Sequence, residues 1–254
     1  MGPLAGSELA PHTAGGEFHP ALRMKSTCQG QQNPARAKAT SQKGKTMHPN
    51  PVFHTQTDER NLAFARERAF GVLAVCGPDG PLLSHIPFLL DEDGAHIWLH
   101  LVRSNPIVRA LKSPQPARIA VVGPDSYVSP DWYGVEDQVP TWNYVAVHVT
   151  GTLELLPQDQ LHGILDRQSA FFEDRLAPKA PWTSAKMSGG VMERMMRAIV
   201  PCRMAVTGVV GTWKLNQNKP DAVRQSAADH VEAYGLGTDI RLLAALMRGA
   251  DGQG

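Results

Sequence analysis

From residue 57 onward the apolar positions follow a readable rhythm. Thr57 precedes Asp58 and Glu59, a capping residue followed by acids that suit a helix dipole, and Leu62, Ala65 and Ala69 then recur at helical spacing. This predicts a helix ending near Ala69. The pattern then changes to β, with strands predicted at 70–76, 82–90 and 95–101. Gly77-Pro78-Asp79-Gly80 and Asp91-Glu92-Asp93-Gly94 separate them as turns, so two successive hairpins are expected.

Asn105-Pro106 opens a further helix, with proline at its first position and Ile107, Val108 and Leu111 along it, ending before Pro114. Residues 118–122 read as a buried strand. Residues 144–155 read as a long one, with Val145, Val147 and Val149 alternating. An amphipathic helix is predicted over 158–176, with Leu161, Ile164, Leu165 and Phe172 on its apolar side. A Met-rich helix follows at 187–199, the last strand at 204–210, and two helices at 221–233 and 239–248. Six strands with helices after the third and between the last two predict a small closed antiparallel β-barrel with peripheral helices, an α+β arrangement.

Residues 1–46 break the rhythm. They are rich in Gly, Ala, Pro, Gln, Ser and Thr, and such a composition does not offset the entropy of folding. The expectation is a disordered leader; a sharper version of it takes Met47 as the true start. A transit peptide is the weaker alternative, since the segment holds only two arginines.

Charge sharpens this division. The leader carries six Lys/Arg and two acids, leaving nineteen basic and twenty-two acidic residues for the rest. The folded part is therefore slightly acidic, which does not support direct DNA binding, because a DNA-gripping domain has the opposite sign. With 42% hydrophobic and 19% charged residues and no apolar run long enough to span a bilayer, a soluble cytoplasmic protein is expected. Cys28, Cys76 and Cys202 are odd in number and far apart, which argues against a disulfide framework or a structural zinc. Cys76 and Cys202 lie in strand-like runs and read as small buried hydrophobes.

Four segments could carry chemistry. In residues 99–106 a strand gives way to Arg103, Ser104, Asn105 and a helix start, which reads either as an anion cradle or as a plain helix cap with a solvated arginine. Ser84-His85-Ile86-Pro87 places a polar pair in an apolar strand, Ser84 with Ile86 on one face and His85 on the other, either ligand-facing or a satisfied core pair. Tyr127 to Tyr144 gathers Trp132, Tyr133, Trp142 and Asn143, suited to a planar heteroaromatic ligand or equally to a structural cluster. Residues 211–220 follow the last strand with Lys214, Gln217, Asn218 and Lys219, either ligand-reaching or an exposed loop. Neither GxGxxG nor GxxxxGK[ST], GxSxG or HExxH occurs. His96 and His100 would point the same way, yet a strand spreads them by about 13 Å, so no metal site is expected.

The order of these segments resembles the PaiB-type family of FMN-binding negative transcriptional regulators. The matching stretches are Met47-His48-Pro49, Phe70-Gly71-Val72-Leu73, Ser84 to Pro87, and His100 to Pro106. Tyr127-Val128-Ser129-Pro130 with Trp132-Tyr133, Val139 to Tyr144, Val147-His148-Val149 and Lys214 to Lys219 complete them. The resemblance covers about residues 47–234, leaving 235–254 as a C-terminal helix and tail. It implies a six-stranded antiparallel split β-barrel similar to the pyridoxamine 5′-phosphate oxidase-like flavoproteins, a homodimer, and FMN at the subunit interface. It further implies that His100, Arg103, Ser104 and Asn105 surround the FMN phosphate, with Arg103 its counter-charge, and that Ser84 and His85 join from the second strand. Trp142 and Asn143 would lie near the ring system, and Lys214 and Gln217 would come from the partner chain. The resemblance assigns no catalytic residue. An FMN-binding regulator is the reading it favours; an FMN-dependent oxidoreductase acting on a small molecule is the alternative, and haem handling is weaker, because no ligand pair presents itself.

Overall fold

The computed structural model describes residues 47–250. The expected leader, residues 1–46, lies outside the described residues, as do 251–254 and Cys28. A 3-10 turn at Pro51–His54 buries Phe53 and leads to α1, Asp58–Arg68, which Thr57 caps by accepting from Arg60 N at 3.3 Å. Strands β1 (Phe70–Gly77) and β2 (Gly80–Pro87) form the first hairpin; β3 (Leu89–Leu90) and β4 (His96–Val102) form the second. After α2 (Pro106–Ala110) come the long strands β5 (Gln115–Val128) and β6 (Thr141–Leu155). Helices α3 (Leu161–Glu173) and α4 (Val191–Met196) precede β7 (Ile199–Lys214), and α5 (Asp221–Tyr234) and α6 (Ile240–Arg248) close the chain.

The strands make one antiparallel sheet in the order β2-β1-β5-β6-β7-β4-β3. It has seven strands, not six, and its hydrogen-bonded belt is open rather than closed. The reason lies at Phe88. The run 82–90, expected as one strand, divides there: β2 pairs with β1 at one edge, and β3 pairs with β4 at the other. Phe88 is fully buried, and its N–H turns to Ala69 O at 2.9 Å. The two edges are thus consecutive pieces of one chain, and the sheet curls around an apolar interior without a complete ladder between them.

That interior holds Leu73, Ile97, Leu99, Ile119, Val147, Val149, Leu153 and Met204, all inward positions of alternating strands. A second apolar cluster forms where α5 and α6 pack on the far ends of β5, β6 and β7. It includes Val128, Val145, Trp213, Val231, Leu243 and Met247.

Other boundaries moved for local reasons. Gly123-Pro124, just past the expected strand 118–122, lies inside β5, where the register shifts between Val122 and Asp125 as a bulge absorbs the extra residues. β7 starts five residues before the expected strand and runs through Pro201. Its pairing with β6 begins only at Cys202, so the missing N–H of Pro201 interrupts no bond on that side. The Met-rich helix shrinks to α4 because Gly189-Gly190 precede it and β7 claims Ile199. Cys202 is buried as expected, but Cys76 is exposed, since it takes an outward position of β1.

Candidate functional site

β2, β1, β5, β6 and β7 present an outward face that no described helix covers along its lower part. Strand registers arrange it in rows. In one, Leu83, Ala74, Arg118 and Thr150 sit side by side on β2, β1, β5 and β6. In the next, His85, Val72, Ala120, His148 and Val210 follow across all five strands. Phe70, Leu83 and Val122 are 52%, 62% and 54% exposed here, too open for large apolar groups with no further role. Farther along β6, Tyr144 and Trp142 continue the face, with Tyr127 edge-on to Trp142 at 6.3 Å.

The lower part of this face is one-sided in charge, while Asp125, opposite Tyr144 on β5, and Glu154, paired with Arg203 on β6, lie farther along it. Residues 70–77, 80–87, 115–122, 141–152 and 204–214 contain no Asp or Glu. They do contain Arg118 and Lys214, together with His85 and His148. Lys214 donates from Nζ to Thr141 Oγ1 at 2.5 Å and lies 5.9 Å from the Phe53 ring centre; burial lowers its pKa. Burial also pushes the His148 pKa down, and the neighbouring Arg118 charge adds to that effect. Among the described residues the Arg118 guanidinium has no hydrogen-bond or ion-pair partner.

The β4–α2 junction is built differently. Asn105 caps α2, its Oδ1 accepting from Ile107 N at 2.9 Å, while its Nδ2 donates to Ser84 Oγ at 3.1 Å. Ser84 therefore faces the junction and His85 is exposed on the outward face, as alternation requires. Arg103 does not join them. Its Nε donates to Arg197 O at 2.9 Å, and its Nη2 donates to Gln158 Oε1 and Ile199 O at 3.0 and 3.3 Å. Ser104 is exposed.

The remaining expected residues scatter. His100 lies beneath α3, its Nδ1 buried without a partner. Burial lowers its pKa, and a hydrogen bond with Gln168 partly offsets this. Trp142 and Asn143 are neighbours on β6 and so point to opposite faces. Trp142 is 45% exposed, while Asn143 is buried under α6, donating to Met247 Sδ at 3.5 Å. Gln217 folds back on its own turn, accepting from Leu215 N at 2.7 Å and donating to Trp213 O and Val52 O at 2.5 and 3.2 Å. The structure puts His85, Trp142 and Lys214 on the same side of the sheet, with His85 in the row of His148 and Trp142 and Lys214 farther along β6 and β7; it ties Ser84 to Asn105 at the margin and turns His100, Arg103, Asn143 and Gln217 elsewhere. Sequence reading missed Arg118 and gave His148 no role. The signal for both was parity, because each occupies the same side of its strand as the exposed apolar residues.

Residues 47–208 match the family described as "Putative FMN-binding domain". The chain belongs to that family. A relative in Bacillus subtilis (strain 168), "Protease synthase and sporulation protein PAI 2", is 28% identical over 175 residues, covering 68% of this chain and 83% of the relative. An uncharacterized protein of Saccharomyces cerevisiae, YKL070W, is 38% identical over 91 residues, covering 33% of this chain and 54% of its own. Among solved structures, the FAD and heme binding protein from Mycobacterium smegmatis aligns with a TM-score of 0.48 at 18% identity, covering 73% of this chain and 82% of that one.

FMN is the cofactor this membership assigns. It needs a counter-charge for its phosphate and apolar or aromatic surface for its ring. The outward face has both kinds of group but spread along it: Arg118 lies opposite Thr150, with Val210 one row on, while Tyr144 and Trp142 sit about 20 Å or more farther along β6 beside Lys214. The Thr212 hydroxyl, on the same side of β7, is buried with no partner. The Lys214 amine, the Thr212 hydroxyl and the Tyr144 and Trp142 rings, close together on β6 and β7, are the groups whose chemistry suits a flavin. No described helix is long and apolar enough to cross a membrane.

Proposed function

We propose that the chain is an FMN-binding protein of the negative transcriptional regulator type, working as a homodimer that holds the flavin between the outward sheet faces of its two copies. The supporting observation is the lower part of that face: apolar, uncovered, and free of carboxylates over residues 70–77, 80–87, 115–122, 141–152 and 204–214, with Asp125 and Glu154 lying farther along β5 and β6. An exposed patch of this kind is an association surface, and two identical faces meeting about a two-fold axis bury it most simply. A second copy opposite would enclose whatever lies between, excluding water from the flavin and strengthening each polar contact to it.

When bound, FMN supplies a redox-active ring and a dianionic tail. The residues of this chain bind and orient it, with His85, Trp142 and Lys214 on the face and the Ser84–Asn105 pair fixing its margin. The regulatory role draws on the family resemblance and on the B. subtilis relative, which is named for protease synthesis and sporulation. The slight acidic balance of residues 47–254 supports a regulator that acts through its flavin-bound form rather than through a basic DNA-gripping surface.

The test is the purified full-length protein. A flavin absorption band released on denaturation, and a dimer by analytical ultracentrifugation, are the expected results. A colourless protein that does not quench the fluorescence of added FMN removes the proposal.

A further inference from the structure

Where the chain leaves β7, a cleft of about 450 Å³ opens between the turn at Pro51–His54, the start of α1 and the last turn of α6. We propose that this cleft binds a small organic monocarboxylate with an apolar body, at a site apart from the flavin face and independent of it.

The volume is in the range of small-molecule pockets, roughly 300–1,000 Å³, and the lining is mixed as theirs is. Val52, Leu215, Ala245 and Leu246 supply its apolar part; Thr55, Gln56, Thr57 and Arg60 supply its polar part. Segments far apart in the chain meet here, and hydrogen bonds fix them together. Gln217 is the tie: its Nε2 donates to Val52 O and Trp213 O, and its Oε1 accepts from Leu215 N. Thr57 Oγ1 accepts from Arg60 N and sets the first turn of α1. The walls are therefore held by the protein's own bonds, and a ligand entering has little ordering to do. Val52 is also the neighbour of Phe53, whose buried ring lies 5.9 Å from Lys214 Nζ, so the Pro51–His54 turn stands between the cleft and the groups assigned to the flavin.

Charge sets the sign of the ligand. Among the eleven residues lining the cleft Arg60 alone is charged, and none is acidic. Its guanidinium lies over the Trp213 ring, 4.7 Å from the ring centre, and Trp213 is pinned in turn by its indole bond to Asn61 Oδ1 at 2.8 Å. Stacking of this kind orients the guanidinium and leaves its N–H edges open, and a carboxylate fits such an edge with two parallel bonds. Asp58 and Glu59 share the first turn of α1 but stay out of the lining; Glu59 turns back on Thr57 and its own N–H. The carbonyls at the end of α6, which would repel an anion, are already taken: Ala245 O by Gly249 N, Met247 O by Arg224 Nε and Arg248 O by Gln225 Nε2. One cation among apolar walls selects a monoanion with a hydrocarbon body over a dianionic phosphate, whose second charge nothing in the lining would balance.

The experiment titrates the full chain with hexanoate and with hexanamide, its uncharged counterpart, by isothermal calorimetry. Wild type, Arg60→Ala, Arg60→Lys and Ala245→Trp are compared, each checked for folding by circular dichroism. Wild type is expected to bind hexanoate about tenfold or more tightly than hexanamide. Arg60→Ala removes that preference and Arg60→Lys keeps part of it. Ala245→Trp, a change at an exposed helix position, fills the cleft and abolishes binding of both. Added FMN leaves hexanoate binding unchanged. If the two probes bind wild type alike, or Arg60→Ala keeps the preference, the anion assignment is wrong. Binding that survives Ala245→Trp puts the ligand elsewhere, and competition by FMN returns the cleft to the flavin site; either overturns the proposal. So does the absence of any binding at millimolar hexanoate. Whether the protein carries flavin is read separately from its absorption band, so failure here leaves that reading untouched.

Discussion

Asn105 Nδ2 donates to Ser84 Oγ across 3.1 Å, joining the start of α2 to β2 near one edge of the sheet. The same Asn105 caps α2 through Ile107 N. One carboxamide therefore serves both a helix end and the packing of that helix on the first hairpin. Asn105→Ala is expected to cost about 1–3 kcal/mol, and Ser84→Ala about 0.5–1.5 kcal/mol, in denaturant unfolding. The double variant should lose less than the sum, because the shared bond can be lost only once. Strict additivity would separate the two residues energetically.

Gly211 leaves no room for a side chain. A Cβ there would lie 2.0 Å from Asn61 Oδ1, the atom that accepts the Trp213 indole N–H at 2.8 Å. Gly211→Ala should displace Asn61, break that buried bond, and cost about 2–4 kcal/mol. A thermal midpoint within a degree of wild type would show that Asn61 moves freely.

His100 and His148 both make stability depend on pH in the same direction. Burial lowers both pKa values below the ordinary 6.5, with Gln168 opposing the shift at His100 and Arg118 adding to it at His148. Below about pH 6.5 the unfolded chain takes up protons that the folded one refuses, so stability falls as pH drops from 6.5 toward the folded-state values and is fully present above 6.5. His100→Gln with His148→Gln should flatten the thermal midpoint between pH 7.5 and 5.5 relative to wild type. An unchanged slope would assign the pH dependence to other groups.

Cys202 should be chemically silent. Burial pushes its thiol up to about 12, and only the thiolate reacts. In a Cys28→Ser, Cys76→Ser background, a disulfide reagent at pH 8 is expected to count no thiol until denaturant is added. One thiol counted at once in the native protein would contradict the burial of β7 at that point.

Leu83 lies at the open end of the Arg118 row and is 62% exposed. On the proposed dimer, Leu83→Glu should leave the fold intact and yield monomer in sedimentation velocity. A dimer of wild-type stability would move the interface to another surface.

Much of this architecture was legible before any coordinates. Period-two runs placed the centres of six strands, and Thr57 and Asn105-Pro106 marked helix starts that cap as expected. Local signals failed where a tertiary neighbour overruled them. Gly123-Pro124 and Pro201 look like strand breakers, yet a bulge and a one-sided pairing absorb them. The site was read less well. The family resemblance grouped His100 and Arg103 with Ser104 and Asn105, and in the folded chain their side chains take different partners. A strand sends neighbours to opposite faces, and a long arginine reaches whichever carbonyls the fold brings near.

Taken alone, the sequence determined what short-range physics controls: which residues cap helices, which strand positions are apolar, and that residues 47–254 carry a slight negative balance. It also carried the family. Tertiary structure decided which outward strand faces adjoin, that the sheet edges meet through a single residue at Phe88, and that Arg118 rather than Arg103 keeps its donors free. Those outcomes depend on distances between residues far apart in the chain, which no local pattern encodes and which only the closing of the core sets.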